Sequence, residues 1–325
     1  MSASPQQSAL NLVAPDMQAV DRVIQNRLDT RVPLVAEVAQ YIISAGGKRL
    51  RPAMLLMMAN ALGYQGTLHH HLAALIEFIH TATLLHDDVV DESTLRRNRP
   101  TANATFGNPA SVLVGDFIYT RAFQMMVETH NMRVMEILAE ATNVISEGEV
   151  MQLMNMHDAS LDEAGYLHVI RSKTAKLFEA STRLSAVIAG CDSAQEERCA
   201  EYGQALGTAF QIIDDVLDYE GQVEELGKNV GDDLREGKAT LPLILAMRNG
   251  SPEQSALVRE AIENGSVERL HDVVAVVRNT GALDGAREAA AAEAQRAIDA
   301  MATLPVNAWS DALRGLAGQL QHRKT

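Results

Sequence analysis

Residues 72–92 read LAALIEFIHTATLLHDDVVDE, and this stretch decides the architecture. Leu72, Leu75, Ile76, Ile79, Thr83 and Leu84 recur at the three- and four-residue steps of a helix, with no glycine or proline between them. The apolar positions cover more than one side, so the spacing predicts a long helix in the middle of a bundle. Working outward, residues 111–128, 132–155 and 199–220 carry the same signature, with Val134, Ile137, Leu138 and Val144 in register. Gly46-Gly47, Gly63 to Gly66, Arg99-Pro100, Gly107 to Pro109, Gly190 and Gly227 to Gly237 fall between the periodic stretches. No long run alternates as a strand does. The expected fold class is all-α, a helical bundle.

Composition agrees. The chain has 325 residues, 47% hydrophobic but only 4% aromatic, and its abundant Ala, Leu, Met, Glu, Gln and Arg favour helix over sheet. No low-complexity linker or repeat breaks it, so a single domain over residues 1–325 is expected, with residues 1–15 its loosest part. A formal net charge of -14 excludes an extended nucleic-acid surface, which needs a dense basic patch. Cys191 and Cys199 form neither a disulfide framework nor a zinc pattern, and the N-terminus lacks a basic region followed by an apolar one. No stretch reaches the ~18 uncharged apolar residues of a membrane span. The expected compartment is the cytoplasm, with peripheral membrane contact left open.

The chemistry begins where the apolar helix turns acidic, at Asp87-Asp88-Val89-Val90-Asp91. Asp87 and Asp91 are four residues apart and share a helix face, where their charges repel. A single acidic cluster is ordinarily a solvated face. A second, Asp214-Asp215-Val216-Leu217-Asp218, repeats both the spacing and the apolar approach. Two such clusters on facing helices suit hard divalent ions, and magnesium characteristically combines carboxylates with water and phosphate oxygens. The ligand implied is a diphosphate bridged by magnesium.

A diphosphate also needs cationic donors, which Gly46-Gly47-Lys48-Arg49-Leu50-Arg51-Pro52 supplies from a glycine turn leading into an apolar helix. Arg96 and Arg97, just past the first cluster, are placed to reach back to phosphates. Further candidates are Lys173-Thr174, Gln211 one turn before the second cluster, and Lys228 and Lys238 in the loop 227–238. His80 lies seven residues before Asp87, nearly on its face, where a hydrogen-bonded core histidine is the ordinary reading. His69-His70-His71 suggests metal at first sight, but three consecutive residues splay around a helix start, so a surface turn is expected. Met151, Met154 and Met156 are read as core filling.

On these residues the chain resembles the trans-polyprenyl diphosphate synthases, most closely their bacterial octaprenyl branch serving ubiquinone side-chain synthesis. GGKRLRP, HTATLLHDDVVDESTLRR, GDFIYTRAFQ, SKTAKLFEA, GTAFQIIDDVLD and LGKNVGDDLREGKATLP stand in that family's order and separations over nearly the whole chain. The resemblance implies an all-α isoprenoid-synthase-type bundle around a deep central cavity, a homodimer, and a trans-prenyltransferase that adds isopentenyl diphosphate repeatedly to an allylic primer such as farnesyl diphosphate. By it, Asp87, Asp91 and Asp214 bind magnesium, three ions with substrate present, and Asp88, Asp215 and Asp218 complete the clusters. Lys48, Arg51, His80 and Arg97 match residues holding isopentenyl diphosphate. Arg96, Lys173, Thr174, Gln211, Lys228 and Lys238 match those around the allylic diphosphate. The catalytic set implied is Asp87, Asp88, Asp91, Arg96, Lys173, Asp214, Asp215 and Lys228. Magnesium, Arg96 and Lys228 would offset charge on the departing diphosphate, which itself takes the proton lost after the double bond attacks.

Product length should follow cavity depth below the first cluster. Ala82 lies five residues before Asp87, about 7.5 Å along a helix, with Thr83 beside it. Short-product relatives carry bulky aromatics at this level, so two small side chains predict a long product. Phe123, Met126 and Leu138 are candidates for a deeper floor. Two other readings compete: a class I terpene cyclase, which needs no second-substrate site and so leaves GGKRLRP unexplained, and a non-catalytic regulatory subunit, which should have lost an aspartate cluster or the basic residues.

Overall fold

The computed structural model describes residues 5–220 and 231–322. Its elements run α1 Pro5–Leu12, α2 Ala14–Arg27, α3 Pro33–Ser44, α4 Leu50–Ala61, α5 Leu68–Val90, β1 Leu95–Arg96, β2 Arg99–Pro100, α6 Ala102–Phe106, α7 Asn108–Glu128, α8 Met132–Met154, α9 Glu163–Ile170, α10 Lys176–Ile188 and α11 Ser193–Glu220. A short π-helical turn, Arg171–Ala175, joins α9 to α10. Further helices are Asp232–Arg235, Leu241–Asn249, Pro252–Asn264, Leu270–Asn279, Ala282–Ala300 and Ala308–His322. The all-α expectation holds. None of the described helices is long and apolar enough to cross a membrane.

Two compact units emerge. The first comprises residues 1–142, 177–203 and 300–316. At its centre α5 packs on α4, α7 and α2. Leu72, Leu75, Ile76, Phe78, Ile79, Ala82 and Leu85 of α5 are essentially inaccessible, which is the multi-sided burial that the apolar spacing demanded. Helix α4 answers with an unbroken buried run from Ala53 to Ala59, and the Ser185 hydroxyl, itself buried, donates to the Leu55 carbonyl at 2.8 Å. The second unit comprises residues 143–176, 204–299 and 317–325. There Leu241–Asn249 packs on Pro252–Asn264 and Leu270–Asn279, burying Leu243, Val258, Ile262, Val273 and Val277.

Three local findings depart from expectation. The run His69-His70-His71 is the first turn of α5 rather than a surface turn, and His69 is only 5% exposed, because Asp16 of α2 and Tyr64 close over it. Met154 ends α8 at 76% exposure, so it fills no core within the described chain. A small antiparallel ladder pairs Leu95 with Pro100 and Arg96 with Arg99, too short to leave a periodic trace in the sequence. Its turn places Arg97 at φ 53° and Asn98 at φ 60°, two consecutive left-handed residues as a type I′ hairpin requires.

Candidate active site

In the first unit, α5 delivers Asp87, Asp88 and Asp91 at its C-terminal end, where the helix macrodipole is already negative. Carboxylates there are unfavourable twice over, through mutual repulsion and through the dipole. Part of that cost is offset by Arg96, whose Nε and Nη2 both donate to Asp88 Oδ1 at 2.9 and 2.7 Å. Asp88 is fully buried, and its Oδ2 has no hydrogen-bond partner. Asp87 and Asp91 stay partly open to solvent. Two accessible carboxylates one turn apart, backed by a third that is buried, offer oxygen donors to a hard cation, so these residues fit magnesium.

The same unit gathers a cluster of guanidinium groups around GGKRLRP. Gly46 and Gly47 take φ of 70° and 150°, and Arg49 a left-handed 45°, so the chain doubles back before α4 starts. A Cβ on Gly47 would stand 2.5 Å from Nη1 of Arg97; the missing side chain is what admits that guanidinium. Arg51 lies over the Phe178 ring at 4.3 Å and points Nη1 at His80 Nε2, 3.3 Å away. Arginine can only donate, so this nitrogen accepts and His80 is the neutral imidazole. Burial first, then the charges of Arg51, Arg96 and Arg97, hold His80 well below its ordinary range. Burial also lowers Arg51 to about 10, which leaves it charged at neutral pH. Lys48 is exposed on the loop.

Glu77 belongs to this pocket and escaped the sequence reading. It lies 3.8 Å from Arg49 Nε, and its carboxyl is raised by burial against the opposing pull of Arg49, Arg51 and Arg97. Asp21 of α2 braces Arg49 from its other side. Three guanidinium groups against one shared carboxylate leave a net positive pocket. If a diphosphate binds here, Gly47→Ala should raise its apparent KM by roughly ten- to a hundredfold, as displacing one charged donor does, and the φ of 150°, strained for any side chain, should also lower the melting temperature. Steady-state kinetics reads this, and an unchanged KM would separate Arg97 from the pocket.

In the second unit α11 carries Asp214, Asp215 and Asp218. Asp215 is buried and accepts from the Tyr166 hydroxyl at 2.6 Å and from Gln211 Nε2 at 2.7 Å. Gln211 in turn accepts from Thr174 Oγ1 at 3.0 Å. Thr174 and Lys173 sit on the π-helical turn Arg171–Ala175, a widened turn often found at functional positions. Gly148 is required opposite it, since a Cβ there would meet the Lys173 backbone nitrogen at 2.7 Å. Lys173 Nζ pairs with Glu149 at 2.6 Å, and Lys238 pairs with Glu236. Asp218 is fully buried and receives the Asp233 backbone N–H at 3.4 Å. Lys228 lies outside the described residues. Tyr166 and Asp233 were missed, although Asp232-Asp233 lies within a quoted motif.

Burial above all, then Asp233 and Asp214, push Asp215 up to about 8, with the Tyr166 and Gln211 hydrogen bonds opposing. Asp233 Oδ2 is itself buried with no hydrogen-bond partner. This excess of carboxylate fits a divalent cation too. The raised pKa has a thermodynamic sign. The folded carboxyl keeps a proton that the unfolded one loses near pH 4. Its contribution is thus complete below about pH 4 and is lost as pH rises toward 8. The chelator-treated protein should melt progressively lower between pH 5 and 8, Asp215→Asn should flatten that slope, and magnesium should restore more at pH 8 than at pH 6. Scanning fluorimetry across pH checks this; an equal slope in the variant would remove Asp215 as the cause.

The chain-length candidates all lie in the first unit. Ala82, Met126 and Leu138 are buried, Thr83 is partly so and donates its hydroxyl to the His80 carbonyl at 2.9 Å, and Phe123 is 42% exposed with its ring edge-on to Tyr119.

An all-helical frame with two aspartate-rich helix ends and a guanidinium pocket defines the class of helical enzyme that handles prenyl diphosphates. The polyprenyl synthetase family model matches residues 32–278. Octaprenyl diphosphate synthase of Escherichia coli (strain K12) is 54% identical over 307 residues, 94% of this chain and 95% of the relative. That of Haemophilus influenzae is 52% identical over 94% and 93%. Among solved structures, a polyprenyl synthase from Caulobacter crescentus CB15 complexed with calcium and isoprenyl diphosphate superimposes with a TM-score of 0.95 at 45% identity, covering 100% of both chains. The chain belongs to the polyprenyl synthetase family and is a prenyltransferase.

Proposed function

We propose that this protein condenses isopentenyl diphosphate repeatedly onto an allylic diphosphate, farnesyl diphosphate for preference, giving all-trans octaprenyl diphosphate for a ubiquinone side chain. The reading rests on one observation above others, the unequal exposure within the aspartate clusters. Asp87, Asp91 and Asp214 are accessible, whereas Asp88, Asp215 and Asp218 are buried. The accessible three are the magnesium ligands, with three ions engaged once substrate is present, and Asp88 and Asp215 position them. Bound magnesium supplies charge neutralisation for the diphosphate that departs.

The chain's own residues do the rest. Lys48, Arg51, His80 and Arg97 hold isopentenyl diphosphate; the Phe178 ring under Arg51 and the Gly47 gap beside Arg97 fix two of those donors before substrate arrives. Arg96, Lys173, Thr174, Gln211 and Lys238 serve the allylic diphosphate, with Lys228 assigned by resemblance alone. Acceptance of a second diphosphate is what separates this reading from a terpene cyclase, and retention of both clusters separates it from a regulatory subunit.

Incubating the protein with farnesyl diphosphate, labelled isopentenyl diphosphate and magnesium, then sizing the dephosphorylated products, should give a magnesium-dependent product of eight isoprene units. Failure to incorporate label would end the elongation reading; a labelled product that stops after a single condensation would end the long-chain one. The enzyme works as a cytoplasmic homodimer, touching membranes peripherally to release product. The dimer finds support in Leu113, Phe123 and Val127, apolar yet exposed along α7, and a monomer in sedimentation equilibrium would remove it.

A further inference from the structure

Where α2 meets the first turn of α5, Asp16, His69 and His70 each offer one ligand atom within 4.8 Å of the other two, the one such three-residue group of histidine, cysteine, aspartate or glutamate side chains among the described residues. Consecutive helical residues ordinarily point about 100° apart, yet the His69 and His70 rings stand with centroids 4.0 Å apart and planes 34° from parallel. Both converge on one oxygen. Asp16 Oδ1 is 2.9 Å from His70 Nε2 and 3.9 Å from His69 Nε2. The other oxygen, Oδ2, is taken by the Asn60 amide at 3.0 Å, which fixes the carboxylate's orientation as an outer-sphere partner of a metal ligand does.

His69 is the telling member. It is 5% exposed, its Nδ1 is buried with no hydrogen-bond partner, and the Tyr64 ring stands edge-on to it at 5.4 Å. The nitrogen that faces the Asp16 carboxylate is Nε2, and 3.9 Å is too long for a hydrogen bond, so an ion between them would join two groups that do not bond each other directly. His71, the third of the run, turns away and reaches the Met125 carbonyl at 2.9 Å. It is therefore not part of the group.

We infer that Asp16, His69 and His70 form a second metal site, specific for a borderline divalent ion such as zinc, that clasps α2 to the start of α5. Two imidazoles and one carboxylate are a donor set for zinc, cobalt or nickel, whereas magnesium prefers oxygen alone. Water completes the coordination. The site is chemically orthogonal to the aspartate clusters and lies at the opposite end of α5 from Asp87 to Asp91, so its occupancy bears on the anchoring of that helix and not on the diphosphate chemistry.

The test uses the full chain in excess magnesium, which keeps the aspartate clusters occupied, with zinc titrated by calorimetry. The expected result is one zinc ion per chain, a rise in melting temperature of several degrees, and at least tenfold weaker binding in Asp16→Asn and His70→Ala. His71→Ala should bind as the unaltered protein does, and magnesium-dependent turnover of His70→Ala should stay within about twofold of it. Cobalt added to the unaltered protein should give visible d–d absorption that zinc abolishes and magnesium does not, a readout that needs no variant. Zinc affinity unchanged in Asp16→Asn and His70→Ala, or no zinc-sensitive cobalt spectrum, would overturn the site.

Discussion

Asp87→Ala should lower turnover on the order of a thousandfold while leaving the melting temperature almost unmoved. The two halves of that expectation come from one fact: Asp87 is partly open at the end of α5, so its removal would delete the proposed cation ligand without opening the core. Asp88→Ala makes the contrast. Asp88 is fully buried and holds Arg96 through two hydrogen bonds. Its loss strands a guanidinium and should cost about 3 kcal/mol, the low end for a broken buried pair because Arg96 remains 30% exposed. Activity should fall in both variants, stability in only one. Product assays at saturating magnesium beside thermal melts read the difference. An Asp87→Ala protein retaining a tenth of the activity would sink the ligand assignment.

Ala82→Phe should convert a long-chain enzyme into one that stops after one or two condensations, since the ring would enter about one and a half helical turns below Asp87. Ala82 is wholly buried, so the larger side chain also overpacks the bundle, at a cost of about 1–3 kcal/mol. Thr83→Phe, at a partly exposed position, is the gentler version of the same obstruction. Chromatography of the dephosphorylated products decides between them. If both variants fold and still make the long product, the growing tail does not pass this level, and depth must be set elsewhere, with Met126 and Leu138 next to be shortened.

Much of this was legible in the sequence because it is local. A helix with apolar residues at three- and four-residue steps announces itself, and α5 was expected over 72–92 and runs from Leu68 to Val90. The aspartate pairs were legible for the same reason, since a spacing of four fixes a shared face. What stayed hidden depends on partners distant in the chain or on irregular backbone. Glu77 looks like one more polar residue until Arg49, twenty-eight positions earlier, folds against it. The histidine run could not declare its geometry without Asp16, and the widened turn at Lys173-Thr174 has no periodic signature. Tyr166 is a helix aromatic in sequence and a carboxylate's donor only in space.

The hairpin Leu95–Pro100 points two adjacent arginines in different directions. Arg96 leaves it toward Asp88, and Arg97, its immediate neighbour, leaves it toward Gly47. One ribbon thus carries both the partner of the buried aspartate and the guanidinium beside Gly47, on a turn whose two central residues are left-handed. If the two arginines hold the two diphosphates as proposed, a shift of one is passed to the other across a single peptide unit, and by reciprocity each substrate should then alter the other's affinity by the same factor.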